Sequence, residues 1–139
     1  MLTKAARVSR LGRQMLVTPA RSIITHPNKN WIEPESVEDL VEFLDTKQPQ
    51  FACVYFHAAW NPICEQINVD YDNFTSNNHS FTHIKVDCDK TPKVKLYFDA
   101  RVEPQFLMLL NGAEIKRQIG FNFNLVENHL EAIKDFHLS

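Results

Sequence analysis

Apolar positions change their period along the chain, and each change marks an element. Val37, Leu40, Val41 and Leu44 recur at helical spacing behind Ser36, which forms an approximate capping box with Asp39, and Pro49 stands where this helix is expected to stop. Phe51-Ala52-Cys53-Val54-Tyr55-Phe56 is then apolar without a break, the pattern of a central strand covered on both faces. A second helix is expected from Asn61-Pro62, with Ile63, Ile67, Tyr71 and Phe74 along one side. Residues 83–87 read as a short strand, 92–98 as a brief helix and 106–110 as another buried strand. Asn111-Gly112 follows, a hairpin signal because a type I′ turn needs positive φ at both positions. Ile115 and Ile119, alternating with Lys116 and Gln118, predict a strand exposed on one side. Asn124, with Glu127 at the reciprocal capping position, is expected to open the last helix, whose buried stripe is Val126, Leu130 and Ile133.

The order is therefore a short strand, then α-β-α-β-α-β-β-α. Such alternation predicts an α/β fold, a three-layer α/β/α sandwich with a mixed central sheet. It is preceded by an N-terminal extension over residues 1–24, with the domain spanning 25–139. A chain of 139 residues has room for one such domain. No apolar run approaches the ~20 residues that would span a bilayer.

Charge alters the picture at one end only. Residues 1–30 hold no acidic side chain, while Lys4, Arg7, Arg10, Arg13, Arg21 and Lys29 are basic. Helical spacing puts Val8, Leu11 and Met15 on one face, opposite Arg7, Arg10 and Gln14. This is the composition of a mitochondrial transit peptide, with processing expected just after Arg21. Arg7, Arg10 and Arg13 interrupt the apolar core that a secretory signal needs. The other readings are a disordered basic tail or a helix lying on a membrane surface. The sequons at Asn73-Phe74-Thr75 and Asn78-His79-Ser80 matter only in a secreted protein. The formal net charge of −2 gives no electrostatic reason to expect nucleic acid.

Cys53, Cys64 and Cys88 are odd in number and form no C-x-x-C, so no disulfide framework is expected. The six histidines show no ligand spacing, and neither a metal nor a cofactor is expected.

Three segments carry a resemblance. Phe56-His57-Ala58-Ala59-Trp60-Asn61-Pro62-Ile63-Cys64 resembles the thioredoxin active-site segment F-x-A-x-W-C-G-P-C. Residues 85–92 resemble the family's K-V-D-x-D-x-x-P, and residues 101–106 its R-x-x-P-T-F, whose proline is cis. Asn111-Gly112 and Gly120 fall where the family keeps its hairpin turn and the glycine closing the last strand. The likeness runs over roughly residues 31–139. It implies a thioredoxin fold and a cis bond before Pro104.

The departures bear on chemistry. Asn61 stands at the nucleophile's position, Tyr55 at that of the buried acid, and Pro62-Ile63 replaces G-P. Dithiol exchange needs a thiolate, a resolving thiol and a proton acceptor, so the chain is expected to be redox-inactive in that sense and not an enzyme. Asn followed by Pro is meanwhile a strong helix start. Cys64, matching the resolving cysteine, is expected either to pack as a shielded apolar residue or to act as a monothiol, favoured as thiolate by the helix dipole. His57 is near it in sequence, Cys53 belongs to the core, and Cys88 is expected to be partly exposed.

In the family the rim around the dithiol and the cis-proline is an apolar platform for partner polypeptides. The matching positions here are Trp60, Ile63, Val102, Glu103, Pro104, Ile119, Gly120 and Phe121. Glu103 adds a charge that suits one fixed, charge-complementary partner. The function expected is an accessory subunit of a mitochondrial multiprotein assembly, a respiratory-chain complex or ATP synthase of the inner membrane. The alternative is a mitochondrial monothiol protein or thiol sensor working through Cys64.

Overall fold

The computed structural model describes residues 23–120 and 122–138. Residues 1–22 of the extension expected over 1–24, and the rim position Phe121, lie outside them. In chain order the elements are β1 (Ile23–Thr25), β2 (Trp31–Pro34), α1 (Val37–Lys47), β3 (Phe51–His57) and α2 (Pro62–Asn77). They continue as β4 (Thr82–Asp87), α3 (Pro92–Tyr97), β5 (Gln105–Leu110), β6 (Ala113–Ile119) and α4 (Phe123–Leu138). The six strands form one sheet in the order β1-β2-β4-β3-β5-β6. Strands β2 and β3 run parallel to β4, whereas β5 is antiparallel to both β3 and β6.

Every residue of β3 is buried, as its unbroken apolar run requires. Alternation sends Ala52, Val54 and Phe56 to one face, where Ile84, Val86, Leu107 and Leu109 join them beneath Leu40 of α1 and Val94 of α3. Phe51, Cys53 and Tyr55 go to the other, with Phe106 and Met108 beneath Ile67, Tyr71 and Phe74 of α2 and Val126 and Leu130 of α4. The expected three-layer α/β/α sandwich is thus formed, with helices on both faces of a mixed sheet.

Several local expectations are revised. The sheet has an additional edge strand, β1, antiparallel to β2; Ile23 and Ile24, assigned from sequence to the end of the leader, lie in it. Three residues are too few to show a period. Helix α1 ends before Pro49, at Lys47, where Gln48 turns left-handed at φ 47° and donates its N–H to Leu44 O. Helix α4 is capped by Asn122 and not Asn124: Asn122 Oδ1 accepts from Leu125 N at 3.0 Å. Along α2 the buried stripe is Cys64, Ile67, Tyr71 and Phe74, while Ile63 faces outward. Strand β6 is not half-buried as alternation predicts, because it is an edge strand whose register slips between Met108 and Leu109; Ile115 and Ile119 are both exposed. The Asn111-Gly112 turn has φ of 52° and 85°, as the hairpin requires. Asn78 is buried, its amide held by Phe74 O at 2.9 Å and Glu127 at 3.1 Å, so that sequon is closed in the folded protein.

His83 is buried in the α2/α4 face with Nε2 2.8 Å from Asn78 O, and burial lowers its pKa to about 4. A histidine depressed in the folded state favours unfolding as pH falls. Its neutral form is fully compatible with the fold above the unfolded value of about 6.5, and stability is lost progressively between there and about pH 4. The loss over that window is expected to be about 3 kcal/mol. Burial lowers the pKa of His57 too, which adds to the loss in the same direction. Urea unfolding at pH 7 and pH 4 checks this, with His83→Gln expected to flatten the profile.

Candidate functional site

The β3–α2 junction and the segment entering β5 meet at one end of the sheet. Asn61 opens α2 as the sequence predicts, its Oδ1 accepting from Ile63 N at 2.8 Å and Cys64 N at 3.4 Å. Its Nδ2 then donates to Glu103 O at 3.0 Å, so one side-chain amide ties the helix start to the loop opposite. The Glu103–Pro104 bond is cis, and Pro104 is buried. Around it Trp60, Ile63, Val102 and Ile119 stand 68%, 45%, 45% and 59% exposed. Gly120, at φ 99°, closes the rim with its N–H on Pro104 O at 3.1 Å. Most of the rim expected from sequence is therefore assembled, Phe121 lying outside the described residues.

Glu103 requires a correction. It was expected to present its charge to a partner, yet its side chain is 7% exposed and turned inward, with Oε2 2.5 Å from Lys95 Nζ of α3. The pairing raises the pKa of Lys95, chiefly through the close approach of the Glu103 carboxylate. The Cys88 thiol lies against the same carboxylate; burial first, then the Glu103 charge, pushes it up to about 12. Cys88 is buried, not partly exposed, because it packs with the α1/α3 core.

Tyr55 is a packing residue. Its ring stacks on Phe106 at 4.8 Å, meets Tyr71 at 4.9 Å, and its hydroxyl donates to Asn68 Oδ1 at 3.1 Å and, more loosely, to Cys64 O at 3.4 Å. Burial, followed by the neighbouring Cys64, drives its pKa far above the ordinary phenol value, so it is no proton acceptor at neutral pH. Cys64 is fully buried. Burial raises its pKa and outweighs the hydrogen bonds with the Ala58 backbone and the Tyr55 hydroxyl, which pull the other way. Of the two readings open for Cys64, its burial fits the shielded packing residue, and the thiolate that the helix dipole would favour is disfavoured. His57 stacks on Tyr55 at 5.3 Å and makes no hydrogen bond through either ring nitrogen, so it is not aligned on Cys64.

Two contributors were not legible in the sequence. Lys95 neutralises Glu103. Arg117 of β6 ties the edge hairpin to the end of α3, bonding both oxygens of Glu114, Gln105 Oε1 at 2.6 Å, Phe98 O at 2.8 Å and Asp99 O at 3.2 Å. Only proximity in three dimensions defines such partners. Among the described residues no three His, Cys, Asp or Glu side chains converge as a metal site.

The family model described as Thioredoxin matches residues 35–132, a span that includes both walls of this site. The chain belongs to the thioredoxin family. It is 31% identical over 101 residues to thioredoxin-3 of Dictyostelium discoideum, covering 73% of this chain and 94% of that protein. Thioredoxin-1 of Schizosaccharomyces pombe is 27% identical over 99 residues, 70% of this chain and 96% of that one. Glutaredoxin 3 of Danio rerio is 23% identical over 104 residues, which are 75% of this chain but only 32% of that longer protein. Among solved structures, the thioredoxin of Trypanosoma brucei brucei superposes with a TM-score of 0.70 at 18% identity, covering 81% of this chain and 99% of that one. The NaTrxh thioredoxin of Nicotiana alata gives 0.69 at 22%, covering 78% and 96%. These structural likenesses concern the fold.

The relatives also correct the expectation that the chain is not an enzyme. They are named thioredoxins and a glutaredoxin, which points to a family of redox enzymes, and the replacement of one cysteine by Asn61 does not demonstrate inactivity. What the site does establish is local: the amide of Asn61 is committed to capping α2 and to the Glu103 carbonyl, and the one thiol of the motif, Cys64, is covered.

Proposed function

We propose that this thioredoxin-family protein serves as an accessory subunit of a mitochondrial assembly and engages a partner protein through the rim around cis-Pro104. The observation that carries the reading is the rim itself. Trp60, Ile63, Val102 and Ile119 are large, apolar and exposed together, while the one acidic side chain among them is turned inward to Lys95. Exposed apolar clusters of this kind gain free energy when covered, and Trp is the residue type most often found at the centre of such contacts. The mitochondrial part is supported by the basic, acid-free leader, and an inner-membrane respiratory-chain complex or the ATP synthase is the assembly proposed. Native separation of gently solubilised mitochondria tests it. The protein is expected to travel with a megadalton complex, and Trp60→Glu is expected to release it as a free ~16 kDa species. A parent protein that runs free from the outset would sink the proposal.

A second reading, a monothiol protein or thiol sensor, is favoured by one observation: Cys64 occupies the first turn of α2 in a family of redox proteins. Rapid alkylation of native Cys64 well below pH ~8.5 would support it. Since burial raises this thiol's pKa, reaction is expected to wait for denaturation.

A further inference from the structure

The segment entering β5 is engaged along its length. Val102 O accepts from Gln105 Nε2 at 3.2 Å, Glu103 O from Asn61 Nδ2 at 3.0 Å, and Pro104 O from Gly120 N at 3.1 Å. Three consecutive backbone acceptors are thus taken by groups of the protein itself, and Pro104 has no N–H to offer. An extended chain laid along a rim gains affinity from main-chain hydrogen bonds, among them those its N–H groups donate to such carbonyls, with side-chain pockets adding specificity. Here it would have to displace or share bonds already made.

The central of the three bonds is the informative one. Those to Val102 O and Pro104 O come from within the same loop and its closing strand, while that to Glu103 O comes from across the site. Asn61 needs only its oxygen to cap α2; its NH₂ group is free to bind elsewhere and is used on Glu103 O. Ser would cap equally well without reaching the carbonyl. The apolar side chains meanwhile stand clear of this network: Trp60, Ile63, Val102 and Ile119 remain exposed, and Lys95 neutralises Glu103 beneath them.

Building on the proposed rim, we infer that Asn61 is a specificity-determining residue that closes the cis-Pro104 segment to strand pairing, so that the rim accepts a folded protein surface presenting bulky apolar side chains and rejects an extended peptide. A pre-folded surface brings its backbone already hydrogen-bonded and needs no acceptor here, whereas an extended peptide leaves its N–H groups unpaired at a cost for each one desolvated. The inference concerns what kind of polypeptide is held, and it can fail while the accessory-subunit reading stands.

The test uses the full chain and a fluorescein-labelled decapeptide of alternating valine and threonine, alongside the same peptide N-methylated at every valine. Fluorescence anisotropy is read for the parent, Asn61→Ser and Asn61→Asp. Both variants retain a capping side chain and lack the amide donor, so Asn61→Asp serves if the serine variant is poorly folded. The parent is expected to bind the two peptides equally weakly. A variant that opens Glu103 O is expected to bind the unmodified peptide about fivefold more tightly, the gain vanishing with N-methylation. A parent that already distinguishes the two peptides, or folded variants that show no gain, would overturn the inference. The accessory-subunit reading is judged separately, by co-migration of the parent with its assembly.

Discussion

Asn61→Cys is expected to close a disulfide to Cys64 and to reduce insulin at least about a hundredfold faster than the parent. The introduced thiol would sit at the N-cap of α2, three residues before Cys64, on a turn that is already built and already closed by the Asn61 N–H to Ala58 O bond at 3.1 Å. A mixed disulfide formed there would be resolved by a neighbouring thiol and not by one from solution. Well-oriented intramolecular reactions have effective molarities of about 10⁵ M or more, so a hundredfold gain is a cautious expectation even though Cys64 is buried and its thiol pKa is raised. The helix N-terminus would favour the introduced group as thiolate. Against the gain stand the loss of the amide cap, about 1 kcal/mol, and of the bond to Glu103 O. The reduced variant should therefore melt below the parent while exceeding it in rate. Titration of free thiols before and after mild oxidation, with insulin turbidity beside it, gives the answer. Four thiols persisting after oxidation would show that the α2 start cannot adopt a disulfide geometry.

Tyr55→Asp, which restores an acid where the family resemblance implies one, is expected to destabilise the protein by about 4 kcal/mol or more. Tyr55 is fully buried between Phe106, Tyr71 and His57, and the substitution removes an aromatic ring from a packed aromatic layer. Replacing large core rings by small residues costs about 3–5 kcal/mol before any charge is considered. The carboxylate would also be desolvated, with Lys85 as the cation of the adjoining strand, held over the rings of Trp31 at 4.6 Å and Tyr71 at 5.4 Å. Tyr55→Phe, keeping the ring, should cost only about 1 kcal/mol for the hydroxyl's bond to Asn68 and its looser one to Cys64 O. Urea unfolding of both variants separates ring from hydroxyl. Equal losses would mean that the hydrogen bonds, not the packing, hold this position. Both substitutions are expected to cost stability, but unequally: position 61 is expected to accept a return to thiol chemistry at a modest cost, whereas position 55 has been given over to the core.

The site and the fold differ in how far local chemistry reveals them. The start of α2 was readable because Asn followed by Pro is favourable there whatever surrounds it, and the cis bond at Pro104 was carried by the likeness of residues 101–106. The orientation of Glu103 was not readable. A carboxylate next to an apolar rim can face either way, and Lys95, eight residues earlier in α3, decides it at 2.5 Å. The reactivity of Cys64 was left open by the sequence, between a shielded packing residue and a monothiol, for a related reason. A helix N-terminus favours a thiolate as a local matter, but burial beside Tyr55 is a property of the assembled core, and it prevails.

By itself, the sequence determined the layered α/β architecture, the central strand, the helix starts at Ser36 and Asn61, and the Asn111-Gly112 turn. Each follows from periodicity or from backbone preferences that act within a few residues. Only the tertiary structure decided that Ile63, Ile115 and Ile119 face outward, that Asn61 reaches Glu103 O across the site, and that Arg117 fastens the edge hairpin to α3. Those outcomes depend on contacts between segments far apart in the chain, and on which hydrophobic positions a finite core has room to cover.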